Sequence, residues 1–167
     1  MPGAYVKIQI QGSGQARERT GRFGERLDSR SRIIMEDAAS YTQKIAQGLA
    51  PKDLGRGAAS IHTEPADMAY AIKAIWVVSP LKYMYVQEYG RTAGRRGPPP
   101  NALRGWASRH GFRTDRGTLF VLSRSIGRKG YRGKYFMKEA AQKAEIYIRR
   151  RVARDGAAFI QRAWEAS

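Results

Sequence analysis

Hydrophobic and polar positions first alternate and then change to helical spacing. Tyr5-Val6-Lys7-Ile8-Gln9-Ile10 alternates with a period of two and reads as a strand, broken at Gly12-Ser13-Gly14. Beyond the break, Phe23, Leu27, Ile34, Ala38, Tyr41, Ile45 and Leu49 follow at steps of three, four or seven. They form one apolar stripe on a helix expected from about Ala16 to Leu49. Arg22, Arg26 and Arg30 recur on the same helix. Glu18 precedes Arg22 by four positions, and Asp28 precedes Arg32 likewise, so this basic stripe reads as a solvated face with i,i+4 pairs. Ala50-Pro51 ends the helix, and Gly55 and Gly57 punctuate the turn after it.

A strand is expected from Ala58 to Thr63. Another is expected where Met68, Tyr70, Ile72, Ala74, Trp76 and Val78 alternate, closed by Ser79-Pro80. Two adjacent strands beside a long helix predict an α+β fold, a small antiparallel sheet packed on that helix, in a single domain spanning 1–167. An aromatic segment, Leu81–Tyr89, leads into residues 91–100, where three prolines and two glycines predict an extended loop. A short helix over Asn101–His110 should turn Leu103 and Trp106 inward. Thr118–Ile126 places Leu119, Leu122 and Ile126 on one face. Residues 127–135 read as a second basic, glycine-rich loop. A long helix from about Lys138 to Trp164 follows, burying Met137, Ala141, Ala144, Ile148, Val152, Phe159 and Ala163, with Gly156 as a point of interruption.

Charge changes this picture from a fold to a partner. The 167 residues carry 31 bases, 22 of them arginine, against 14 acids, for a net +17. Residues 1–90 hold 12 bases and 9 acids (net +3), and residues 91–167 hold 19 and 5 (net +14). Solubility needs only ~2–8 charges for a small domain. The asymmetry therefore implies a polyanionic neighbour for the second half: nucleic acid, a membrane surface or an acidic protein face. Arginine's planar fork suits phosphate and carboxylate alike. The contact residues expected in the loops are Arg95, Arg96, Arg113, Arg116, Arg128, Lys129, Arg132 and Lys134. On the last helix, Lys143, Tyr147, Arg150 and Arg154 share a face, with Lys138 and Arg149 on another side. No base-reading helix or aromatic platform is legible. Binding to DNA should thus be non-specific, with a dissociation constant of ~10⁻⁴–10⁻⁶ M, and docking on acidic protein neighbours fits the same residues.

Candidate chemistry is sparse. His62 and His110 lie in different elements without metal-ligand spacing, and Glu36-Asp37 is the only adjacent acidic pair. Gly12-Ser13-Gly14 lacks the third glycine of a dinucleotide loop, because Arg17 stands there. Gly127–Lys134 has five residues between its glycines instead of four, and Tyr135 follows the lysine where a hydroxyl should bind magnesium. No run reaches the ~18 apolar residues of a membrane span. Met1-Pro2-Gly3-Ala4-Tyr5 lacks the order of a secretory signal, and cysteine is absent. The expectation is a non-enzymatic protein made in a cytoplasm, without cofactor, metal or small-molecule substrate.

The order of short motifs resembles the tail-component family of tailed phages, which includes tail-completion and neck proteins. The resemblance rests on Pro51-Lys52-Asp53-Leu54-Gly55 after the long helix, and on Tyr85-Val86-Gln87-Glu88-Tyr89-Gly90 before Thr92, with Arg91 intervening. Pro100–Trp106, His110-Gly111-Phe112 and Tyr135-Phe136-Met137 before the last helix add to it. Pro51, Gly55, Tyr85, Glu88, Tyr89, Gly90 and Phe136 are the positions carried over, within a resemblance covering about residues 16–164. It implies a structural protomer of a ring at the head–tail junction, a hexamer being one such ring, joined to other neck and tail proteins within the virion. DNA in the channel is one partner for the basic surface, and the two loops should order only against neighbours. A non-specific basic DNA-binding protein is the alternative, and a nuclease with an unrecognised site is a third reading.

Overall fold

The computed structural model describes residues 4–11, 22–67 and 72–165. In chain order the elements are β1 (Tyr5–Gln11), α1 (Arg22–Leu49), a single turn α2 (Arg56–Ala59), β2 (His62–Asp67) and β3 (Ile72–Val78). Next come α3 (Lys82–Tyr89), β4 (Gly90–Arg91), a tight helical turn over Pro100–Leu103, α4 (Arg104–Arg109), α5 (Arg116–Lys129) and β5 (Tyr131–Arg132). The chain closes with α6 (Phe136–Arg151), a widened π turn over Val152–Gly156, and α7 (Ala157–Glu165). The fold is α+β, as the patterning predicts. Its contacts divide into two compact units, one made of the residues up to Leu81 with those from Phe136 onward, the other of Lys82–Tyr135.

In the first unit, β3 is the central strand, antiparallel to β1 on one side and β2 on the other. Helix α1 packs on this sheet and on α6. Ile34, Met35, Ala38, Ala39, Thr42 and Ala46 are its buried positions. The expected stripe is therefore correct at Ile34 and Ala38, but Tyr41 is exposed and Ile45 and Leu49 are only half-buried. Alanines occupy the seam because a side chain no larger than a methyl lets two helices approach closely. Ala140 and Ala144 of α6 are buried likewise. Thr42, buried in mid-helix, satisfies its hydroxyl by donating to the Ala38 carbonyl at 2.7 Å. Gln43 and Gln47, one turn apart, both donate to the Ile61 carbonyl (3.0 and 2.9 Å), fixing where β2 begins.

Several expectations are corrected here. Arg56–Ala59 is a helical turn, not strand. It starts after Gly55 in the left-handed region (φ 75°), and its Ser60 hydroxyl bonds back to Gly57. β2 accordingly starts four residues late and runs on to Asp67. In β3, Ala74 of the expected face is buried, but so is Val77, which has the opposite phase. Trp76, expected inward, is half-buried under the Lys7 ammonium, 5.6 Å from its ring centre. Residues 68–71 and the expected helical start, 16–21, lie outside the described residues. The interruption near Gly156 is present as the π turn. Val152, at its start, is exposed and not buried.

In the second unit, Asp115 caps α5 by accepting from the Thr118 amide and hydroxyl (3.0 and 2.8 Å). These bonds hold its carboxyl below the usual range. Helix α5 continues through Lys129, so the expected loop at 127–135 is mostly ordered elsewhere. Gly127, Arg128 and Lys129 form its last turn, and β5 pairs antiparallel with β4. Trp106, expected inward, is exposed. It stacks on His110 and Phe112 at 4.4 and 5.6 Å, and Ala107 takes the buried position.

Candidate functional site

Most of the net charge of the second half lies within the second unit. Lys82–Tyr135 holds 13 bases and 2 acids, a net +11, and the remaining residues hold 18 and 12, a net +6. The two acids of the second unit already have places within it. Glu88 is buried at 2% exposure, and Asp115 is engaged by Thr118 and by Arg113 at 3.2 Å.

The basic side chains converge on an open cleft of about 770 Å³ between the 91–100 loop and α5. Its rim carries Arg91, Arg95 and Arg96 from the loop and Arg124 and Arg128 from the helix. Its floor includes Phe120 and Pro98–Pro100, and no acid lines it. Positions 120, 124 and 128 share a helix face by their spacing of four. Arg91 turns its guanidinium back onto the Arg96 carbonyl, which braces the loop. The side chains of Arg95, Arg96, Arg124 and Arg128 are exposed and form no ion pair among the described residues.

Glycine is what brings loop and helix together. A β-carbon on Gly97 would overlap the Ser123 carbonyl. One on Gly127 would lie 2.5 Å from the Arg95 carbonyl. Ser123 then closes the contact, donating its hydroxyl to the Pro98 carbonyl at 2.6 Å. Gly130 (φ 70°) admits the backbone of Arg91 and Ala93 in the same way. The loop is thus fastened to its own unit, contrary to the expectation that it orders only against neighbours.

The expected contact residues separate into groups. Arg95, Arg96 and Arg128 come together in the cleft. Arg116, Lys129, Arg132 and Lys134 are exposed elsewhere on the second unit, and Arg113 is paired with Asp115. Lys143 and Arg150 lie in the first unit beside a shallow groove of about 590 Å³ between α1 and α6. Lys143 is paired with Glu139 at 2.7 Å and Arg154 bonds Asp155 at 3.0 Å, a carboxylate it shares with Arg151 and Arg30, so the helical basic face is partly paired. Tyr147, expected to join it, stacks on Tyr41 (4.1 Å) and donates to Asp37 (2.9 Å), which raises its own pKa. Arg91 and Arg124 join the cleft without having been expected there. The i,i+4 relation of Arg124 to Arg128 is readable in the chain, on the face opposite the apolar positions Leu119, Leu122 and Ile126.

The residues named as chemical candidates are held locally. Glu36 pairs with Arg32 at 2.9 Å, and Asp37 serves Tyr147 and Arg151. His110 faces the Trp106 carbonyl, and His62 bridges Ser60 and Glu64. Among the described residues no group of three His, Cys, Asp or Glu is placed to hold a metal ion, and no helix is long and apolar enough to cross a membrane.

The motif positions occupy structural places. Gly55 makes the left-handed turn, while Tyr85, Glu88 and Tyr89 lie on α3. Gly90 (φ 81°) lets β5 approach, Phe136 is buried at the start of α6, and Pro51 follows the end of α1. Comparison with protein-family models, curated proteins and solved structures returns no match.

Proposed function

We propose that this chain is a non-catalytic structural protein of a tailed bacteriophage, a protomer that joins or completes the tail at the head–tail interface. The ordered series of motifs carries the reading, and four of its positions have structural places that support it: the Gly55 turn, the Gly90 approach, the buried Glu88 and the buried Phe136. Residues that set shape rather than chemistry suit a building block. Assembly into a ring with other neck and tail proteins belongs to the same proposal, as does residence in the virion after synthesis in the host cytoplasm.

A net +11 on one inserted unit supports a polyanionic surrounding within that assembly. It equally favours a second reading, a basic DNA-binding protein that acts free of any particle. Sequencing the DNA on either side of the gene separates the two. Portal or capsid genes on one side and tail genes on the other are expected. Recombination, repair or regulatory genes on both sides would overturn the virion reading in favour of the second.

A further inference from the structure

We infer that the arginine-lined cleft of the second unit is a binding site for the phosphodiester backbone of a nucleic acid strand. The inference does not rest on the virion reading, since the cleft is built within Lys82–Tyr135 alone.

Four guanidinium groups, Arg95, Arg96, Arg124 and Arg128, rim one concavity without an intramolecular anion among the described residues. Like charges so gathered repel, and the arrangement is relieved by an anion of repeating charge. An acidic protein face would complement the same positive patch, so what favours a nucleic acid strand is the apolar surface that accompanies the charge in the cleft. Here Glu88 is buried, Asp115 pairs with Arg113, and no acid lines the cleft, so the charge around it is of one sign. A uniform field of this kind suits a uniform polyanion.

The cleft's floor is the second observation. Phe120 is 55% exposed within it, beside Pro98–Pro100. An exposed aromatic ring among arginines offers a stacking surface beside the cationic groups. A polynucleotide offers the complement, phosphates to a cationic rim and a sugar or unpaired base to an apolar surface. The site is also preformed: Gly97, Gly127 and the Ser123–Pro98 hydrogen bond hold the loop arginines against the helix arginines. Binding therefore does not have to order the loop.

The test is binding of the full chain to a fluorescent oligonucleotide of about 30 residues as a single strand and as its duplex, across a salt series, with polyglutamate as competitor. Arg124→Gln/Arg128→Gln should lower the slope of log affinity against log salt by about 1.4 on the single strand or 1.8 on the duplex, the loss of two phosphate contacts. Arg32→Gln/Arg149→Gln removes two exposed charges of the first unit and should leave the slope unchanged. Phe120→Ala should weaken the single strand about fivefold or more if a base stacks there. A loss shared by both nucleic acids assigns the floor to the sugar. An unchanged slope in the Arg124/Arg128 variant, with native circular dichroism, would overturn the site. Displacement of the oligonucleotide by polyglutamate at equal charge would assign the cleft to acidic proteins and overturn it too.

Discussion

At the scale of single residues, two glycines of opposite standing show where backbone space decides stability. Gly97 lies against the Ser123 carbonyl, and any β-carbon there must push loop and helix apart. Gly97→Ala should therefore destabilise the second unit by about 1–3 kcal/mol, as overpacking does, and lower affinity for polyanions by separating the two sets of arginines. Gly48 lies on an exposed turn of α1, where an added β-carbon would meet nothing within 4 Å. Gly48→Ala should stabilise by about 0.5–1 kcal/mol through the unfolded chain. Denaturant titration of both variants checks the pair. His62 gives a pH signature. Its Nδ1 faces the Ser60 carbonyl at 2.9 Å and its Nε2 the Glu64 carboxylate at 2.7 Å, and only the imidazolium can donate to both. The Ser60 carbonyl first, and then Glu64, raise its pKa above 6.5. The contribution is complete below the unfolded pKa and is lost as pH rises through the folded one. Compared at one pH on either side, stability should fall slightly as pH rises from below 6.5 through the raised folded pKa, by less than ~1 kcal/mol because the side chain is 44% exposed. Glu64→Gln should reduce this slope without abolishing it, as thermal melts at the two pH values would show.

At the scale of elements, α1 and α6 run antiparallel along a seam that is apolar inside and polar at its edge. Tyr41 meets Tyr147, Asp37 meets Tyr147 and Arg151, and Arg30 meets Asp155 (3.8 Å) in the π turn. Asp155 also bonds Arg154 and pairs with Arg151 at 2.8 Å, and these cations hold its carboxyl below the usual range. Phe136 and Met137 anchor the start of α6 at 1% exposure each. Phe136→Ala should cost about 3–5 kcal/mol, a core cavity in place of a ring, measured by denaturant unfolding of the full chain. Much of this was legible. Strand β1, helix α1 and the last helix followed from their periods, because one buried face imposes one period. The α2 turn was not, since Arg56-Gly57-Ala58-Ala59 has no period of its own and depends on Gly55's left-handed backbone. The alternation in β3 does not mark one inside, because Ala74 and Val77, of opposite phase, are both buried.

At the scale of the whole molecule, the sequence announced a basic second half, but the boundary lay elsewhere. Charge follows the inserted unit, Lys82–Tyr135, and spares the helices after it, where Lys143, Arg149 and Arg154 find acidic partners. Most of that pairing is readable from the chain alone. Lys143 and Arg149 answer to Glu139 and Glu145, and Arg151 to Asp155, each four residues away, while Arg154 answers to the adjacent Asp155; only the Asp37 contact of Arg151 needs the fold. The cleft itself was half legible, since Arg95, Arg96 and Arg128 stand out by charge while the glycine contacts that assemble them do not. One unit of packed helices and a sheet, joined in the same chain to another whose charged residues are nearly all basic, is compatible with the proposed particle component placed near a polyanion. The most direct test is disruption of the gene and electron microscopy of the resulting lysate. Filled heads and completed tails lying unjoined, restored to infectious particles by supplying the protein, are the expected result. Joined particles of normal infectivity without the protein would contradict the account.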